Sequence, residues 1–169
     1  MRISGVLEYD SSQNVPYYIG IPELEIHSQG STLEEAYEMI IDAMGLLLEE
    51  YTKGKVTKGD LNVISTSAVS FDIVTDKIKE VSGFAIHRLR MFNDLTQENV
   101  IEKMGKASRR SLTAYEYGDS EAGLSKFQEI LGAIGYDVKI TFVPKDKPNE
   151  SSIELVSDVD FFENPPINN

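Results

Sequence analysis

Hydrophobic and polar residues alternate over residues 2–9, and the alternation breaks at Asp10-Ser11-Ser12-Gln13-Asn14, a composition that favours a loop. Tyr17-Tyr18-Ile19-Gly20-Ile21 predicts a second strand, ended by Pro22, which has no N–H for a sheet ladder. Glu25-Ile26-His27-Ser28 predicts a short third strand that runs out at Gln29-Gly30. The period then lengthens. Leu33, Ala36, Tyr37, Ile40, Met44, Leu47 and Tyr51 recur at helical spacing and form one apolar face. Ser31 or Thr32 caps that helix, Glu34 or Glu35 completes a capping box, and Gly54 marks the stop. Two further strands are predicted over 61–65 and 69–74, and the segment 52–68, rich in Thr, Lys, Gly and Ser, is the most loop-like connection of this part of the chain. Strands crossed by one helix make a small α+β layer.

Residues 82–136 predict helices in close succession, over 84–92, 96–104, 108–117 and from 124 to near Gly135. Thr96 caps the second and Gly105 stops it; Ser108 caps the third. Two short helices joined by Gly105-Lys106-Ala107 carry the pattern of a helix-turn-helix. Val138, Ile140 and Phe142 then alternate with polar residues, and a lone strand needs a partner. Residues 153–156 would supply it as a hairpin, or a second copy of the chain would supply it in a dimer. Residues 157–169 read as a mobile acidic tail.

The formal charge of −12 is unevenly spread: −8 over 1–80, +1 over 81–145 and −5 over 146–169. No global positive field draws such a chain to nucleic acid, so any DNA contact must be local. The first turn of the third helix supplies a local candidate. Ser108, Arg109, Arg110 and Ser111 follow Lys106 there, and cations at a helix N-terminus oppose the macrodipole by about 0.3–1 kcal/mol each. In helix-turn-helix docking those first-turn positions reach bases and phosphates, which Arg suits. The long helix is the opposite case. Glu34, Glu35, Glu38, Asp42, Glu49 and Glu50 line its polar side, which is either a solvated face or a surface for a basic partner.

Absence of cysteine excludes disulfides, thiolate metal sites and cysteine nucleophiles, and fits a reducing cytoplasm. No apolar run reaches the length of a membrane span, and Glu8 arrives too early for a signal peptide, so a cytoplasmic protein off the membrane is expected. His27 and His87 lack metal-motif spacing and read as structural or exposed. Glu8, Asp10, Glu23 and Glu35 form the one carboxylate set that would hold two metals for a ribonuclease-H-like nuclease. They carry no matching motif. No catalytic residue, metal or cofactor is therefore assigned, and the chain is not expected to be an enzyme.

Ile21-Pro22-Glu23-Leu24 followed by Ser28-Gln29-Gly30-Ser31-Thr32-Leu33-Glu34-Glu35-Ala36 resembles the HicB antitoxin domain, without that family's Pro-Gly-Cys element. Leu95-Thr96-Gln97-Glu98-Asn99 through Gly105, with Tyr115-Glu116-Tyr117-Gly118, resembles the lambda-repressor-like (Xre-type) helix-turn-helix family. A HicB subgroup carries both in this order. The resemblance implies a truncated, catalytically degenerate ribonuclease-H-like domain over 1–75, a linker at 76–81 and a DNA-binding domain over 82–136. Residues 137–169 would hold a strand, a possible dimer contact, and the tail.

It further implies an antitoxin that blocks a HicA-type ribonuclease toxin and represses its own operon as a homodimer or higher homo-oligomer. Gln97, Lys106, Ser108, Arg109, Arg110 and Thr113 would face operator DNA. Glu34, Glu35, Glu38 and Asp42 would meet the basic toxin. Glu116 would support the helix end. The alternatives are a stand-alone helix-turn-helix repressor with a sensing or dimerising front, and the metal-dependent nuclease.

Overall fold

The alternation at the front of the chain folds into antiparallel strands, as seen in a computed structural model that describes residues 1–105, 108–142 and 153–156. Strands β1 (Arg2–Tyr9), β2 (Tyr17–Ile21) and β3 (Ile26–Gly30) precede helix α1 (Leu33–Thr52), and β4 (Asn62–Ser67) and β5 (Ser70–Val74) follow it. The sheet order is β3-β2-β1-β5-β4, every pair antiparallel, so the chain crosses from one sheet edge to the other through α1. Leu7, Ile19, Ile21, Phe71 and Ile73 point to the α1 side and are buried. Val6, Tyr18 and Ile64 point to the other side and are exposed.

Thr32 caps α1 by accepting from the Glu35 N–H at 3.1 Å, and Glu35 Oε2 accepts from the Ser31 N–H at 2.7 Å. Thr32 is thus the cap, but the Glu35 carboxylate reaches the N–H of the residue before it, so the expected reciprocal capping box is not closed on Thr32. The buried row of α1 is Ala36, Ile40, Met44, Leu48 and Thr52, four apart throughout. Leu33, Tyr37, Leu47 and Tyr51, expected on the same apolar face, are half-buried and pack against the core, and Leu48 adds a fully buried position that the spacing did not single out. The segment 52–68 holds more order than a loop: the end of α1, a 3-10 turn at Lys58–Asp60, and all of β4.

Four helices follow among the described residues: α2 (Ile78–Phe92), α3 (Gln97–Met104), α4 (Arg109–Glu116) and α5 (Leu124–Ile134). The segment 76–81, expected as a linker, is helical from Ile78 onwards. Its packing gives the reason. Val81, Phe84 and Ala85 of α2 are buried in the core under the sheet, Ile86 in a second core with Val100, Leu112, Ile130, Leu131 and Ile134, and Leu89 touches both. One helix thus serves both cores. Last, β6 (Lys139–Phe142) pairs antiparallel with β7 (Ile153–Val156), so the chain itself supplies the partner strand. The connection between them and the expected tail at 157–169 lie outside the described residues, and no described helix is long and apolar enough to cross a membrane.

Gly83 sets the distance between α2 and α4. A Cβ there would lie 2.4 Å from the Tyr115 carbonyl oxygen and 2.5 Å from that of Glu116. Those are backbone atoms at a helix end and cannot swing aside. Gly83→Ala is expected to push α4 off α2 and destabilise the fold by about 1–3 kcal/mol. Urea unfolding checks it; wild-type stability in the variant would contradict this packing.

Candidate functional site

Helices α2, α3 and α4 meet around one carboxylate. Glu116, in the last turn of α4, is 1% exposed. Arg90 of α2 grips both its oxygens, Nε donating to Oε1 at 2.6 Å and Nη2 to Oε2 at 3.1 Å. Gln97 Nε2 donates to Oε2 at 2.8 Å, and His87 Nδ1 lies 3.6 Å from the same atom. The remaining Arg90 nitrogen, Nη1, donates to the Leu95 carbonyl at 2.7 Å and so fixes the entry to α3. Burial pushes the Glu116 carboxyl pKa up, but interactions with His87, Arg90 and Gln97 outweigh it and hold it at about 2, against an ordinary 4.5. Glu116, expected to support the helix end, ties the last turn of α4 to α2 and α3 and is the hub of the three helices.

The hub is tied to the front of the molecule. Tyr51, near the end of α1, donates its hydroxyl to the Glu116 carbonyl at 3.1 Å and stacks on Tyr117 with centroids 5.4 Å apart. Burial, with Glu116 and Tyr117 nearby, pushes the Tyr51 hydroxyl pKa up, so it stays a donor. An exposed pair, Lys55–Asp119 at 3.4 Å, adds a second tie.

The α3–α4 face carries the residues expected to meet DNA. Thr96 caps α3 in a capping box with Asn99, and Gly105 ends it at φ +73, a left-handed conformation that glycine adopts freely. Ser108 caps α4, its Oγ accepting from the Ser111 N–H at 3.2 Å. Arg109 and Arg110 stand exposed in the first turn. Arg109 Nη1 lies 2.8 Å from Glu98 Oε1 with its side chain 71% exposed, a pair worth at most about 1 kcal/mol. Arg110 has no partner among the described residues.

Gln97 and Thr113 behave differently from the arginines. Thr113 Oγ1 donates to Gln97 Oε1 at 3.2 Å, so each is engaged inside the protein as well as placed on this face. Gln97 keeps one N–H and one oxygen lone pair for an outside group. Gln97 borders a cleft of about 470 Å³, together with Arg90, Glu98, Arg109 and Glu116. Lys106 lies outside the described residues.

Of the four acids expected to meet a basic partner, Glu34 and Glu38 are exposed and have no ion-pair partner among the described residues. Glu35 is engaged by the Ser31 N–H, and Asp42 pairs with Lys58 at 2.9 Å. Met39 and Leu46 are exposed beside them, Leu46 by 69%. The rival carboxylate set, Glu8, Asp10, Glu23 and Glu35, does not converge. Among the described residues no three His, Cys, Asp or Glu side chains form a group able to hold a metal ion.

Sequence spacing did not single out Arg90. Its signal was present nonetheless: Gly83, Ile86 and Arg90 fall on one helix row, and all three are buried. A charge in such a row requires a buried counter-charge. No protein-family model matches this chain, and no curated protein matches it.

Proposed function

We propose that this chain is an antitoxin of the HicB type that also represses its own operon. On this reading the five-stranded sheet with α1 is the truncated ribonuclease-H-like domain, and α3 and α4 form the helix-turn-helix with α4 as the recognition helix. The observation that carries it is the first turn of α4. Two exposed arginines sit there, one with no partner among the described residues and one in a weak exposed pair, at a helix end where cations lower stability. The buried Arg90–Glu116–Gln97 hub fixes the far end of α4, and the Thr113–Gln97 bond ties its body to α3, which suits a helix that must present side chains in fixed register.

The partner in this reading is a HicA-type ribonuclease, a small basic protein, inhibited sterically and by charge at the acidic front. No catalysis and no cofactor are assigned to this chain. Two copies would contact two operator half-sites, because one segment of net charge +1 reaches few phosphates.

Co-expression with the adjacent open reading frame tests the pairing. A basic chain of about 60–90 residues is expected to co-purify, and the complex to weaken as salt rises. Specific DNA binding with no such partner would favour the stand-alone repressor instead.

A further inference from the structure

We infer that the cleft beside the β1–β2 hairpin is a binding site for an arginine side chain presented by a partner polypeptide. The cleft measures about 530 Å³, and its walls include Glu8, Tyr9, Asp10, Pro16, Tyr18 and Gln29. Its lining holds two carboxylates and neither lysine nor arginine. Sheet register puts three of these residues in one row: Glu8 lies opposite Tyr18, and Tyr18 opposite Gln29. They share the sheet face that points away from α1.

The chemistry of the wall is specific. Tyr9 is 62% exposed and Tyr18 44%, unusually open for large rings, and each is steadied by a neighbour. Tyr9 packs on Tyr17 with centroids 4.9 Å apart, and Tyr18 stacks on His27 at 6.2 Å. Glu8 has no hydrogen-bond or ion-pair partner among the described residues. Asp10 accepts from the Ser12 N–H at 2.9 Å and the Ser12 hydroxyl at 2.7 Å, and these bonds hold its carboxyl below the usual range. It stays anionic into acid solution. Fixed aromatic faces beside an unpaired carboxylate suit a guanidinium, which stacks flat on a ring while its N–H fork meets the acid. An ammonium offers no such plane.

This site deepens the proposed function and rests on it only for which protein supplies the arginine. Glu34 and Glu38 of α1 would then add general attraction, whereas the cleft would fix register.

The test uses the full ¹⁵N-labelled chain and a capped Gly-Arg-Gly-Arg-Gly peptide, with its citrulline counterpart as the uncharged control. Amide shifts are expected to be confined to residues 8–18 and 29, and absent with citrulline. Glu8→Gln alone should weaken binding, and Glu8→Gln with Tyr18→Ala should weaken it by about tenfold or more. Equal shifts with citrulline, shifts centred on α1, or affinity unchanged in the double variant would each overturn the assignment. The peptide result is independent of DNA binding and of the adjacent gene. A second arm repeats the co-purification with the double variant. Retention of the wild-type amount of basic partner would show that the cleft is not its docking point.

Discussion

Arg90→Ala is expected to destabilise the protein by about 3–5 kcal/mol, the usual cost of stranding one member of a buried ion pair. The Arg90 and Glu116 side chains are 8% and 1% exposed, so no water replaces the missing guanidinium without rearrangement. Five contacts go at once: two to the carboxylate, one to the Leu95 carbonyl, one to His87 Nδ1 and a weak one to the Met91 sulfur. What remains around Glu116 is Gln97 and the His87 ring. Replacing both partners by apolar residues of similar volume, Arg90→Met with Glu116→Leu, should cost less than the single change, because no buried charge is left.

The same variant carries a pH signature. Glu116 has a folded pKa of about 2, below its ordinary 4.5, so its ionised form stabilises the fold. That contribution is complete above about pH 4.5 and is lost as pH falls towards 2. The gap between wild type and Arg90→Ala should therefore be largest near neutrality and shrink in acid. Urea unfolding followed by circular dichroism at a series of pH values measures it. A gap that stays constant down to about pH 2.5 would mean that the pair does not hold Glu116 ionised.

The second large effect lies on DNA. Arg109→Ala with Arg110→Ala should weaken operator binding by about 2–6 kcal/mol, or roughly 30-fold and more, at about 1–3 kcal/mol for each arginine that no longer reaches a base. Stability should change little, since both side chains are exposed and removing cations from a helix N-terminus is mildly favourable. The log–log salt slope should flatten by about one for each phosphate left without its cation. Co-purification of the basic partner should persist. A double variant that shifts operator DNA like wild type at about 150 mM salt would remove α4 from the role of recognition helix.

How much of this was written in the chain depends on how local each signal is. The caps Thr32, Thr96 and Ser108 were legible because a cap involves residues only three apart. The strands were legible from alternation, because one sheet face meets α1 and the other does not. The start of α2 was not. Lys77 makes no side-chain cap, and the exposed Ile78 blurs the apolar row in the first turn. In Leu46-Leu47-Leu48, helical spacing put Leu47 on the apolar face; it packs half-buried against the core, and its neighbour Leu48 is the fully buried one. The hub was the hardest part. Arg90 and Glu116 are 26 positions apart, and only the packing of α4 against Gly83 brings them together. For the same reason Gln97 read as an outward-facing residue, whereas Glu116 and Thr113 engage it within the protein.

The proposed function turns on whether α4 reads the DNA of this chain's own operon. Fluorescence anisotropy decides it, with the duplex upstream of its own gene set against a scrambled duplex of equal length at fixed salt. A preference of at least about 10³-fold for the upstream sequence is expected. Equal affinity for the two duplexes would contradict the reading.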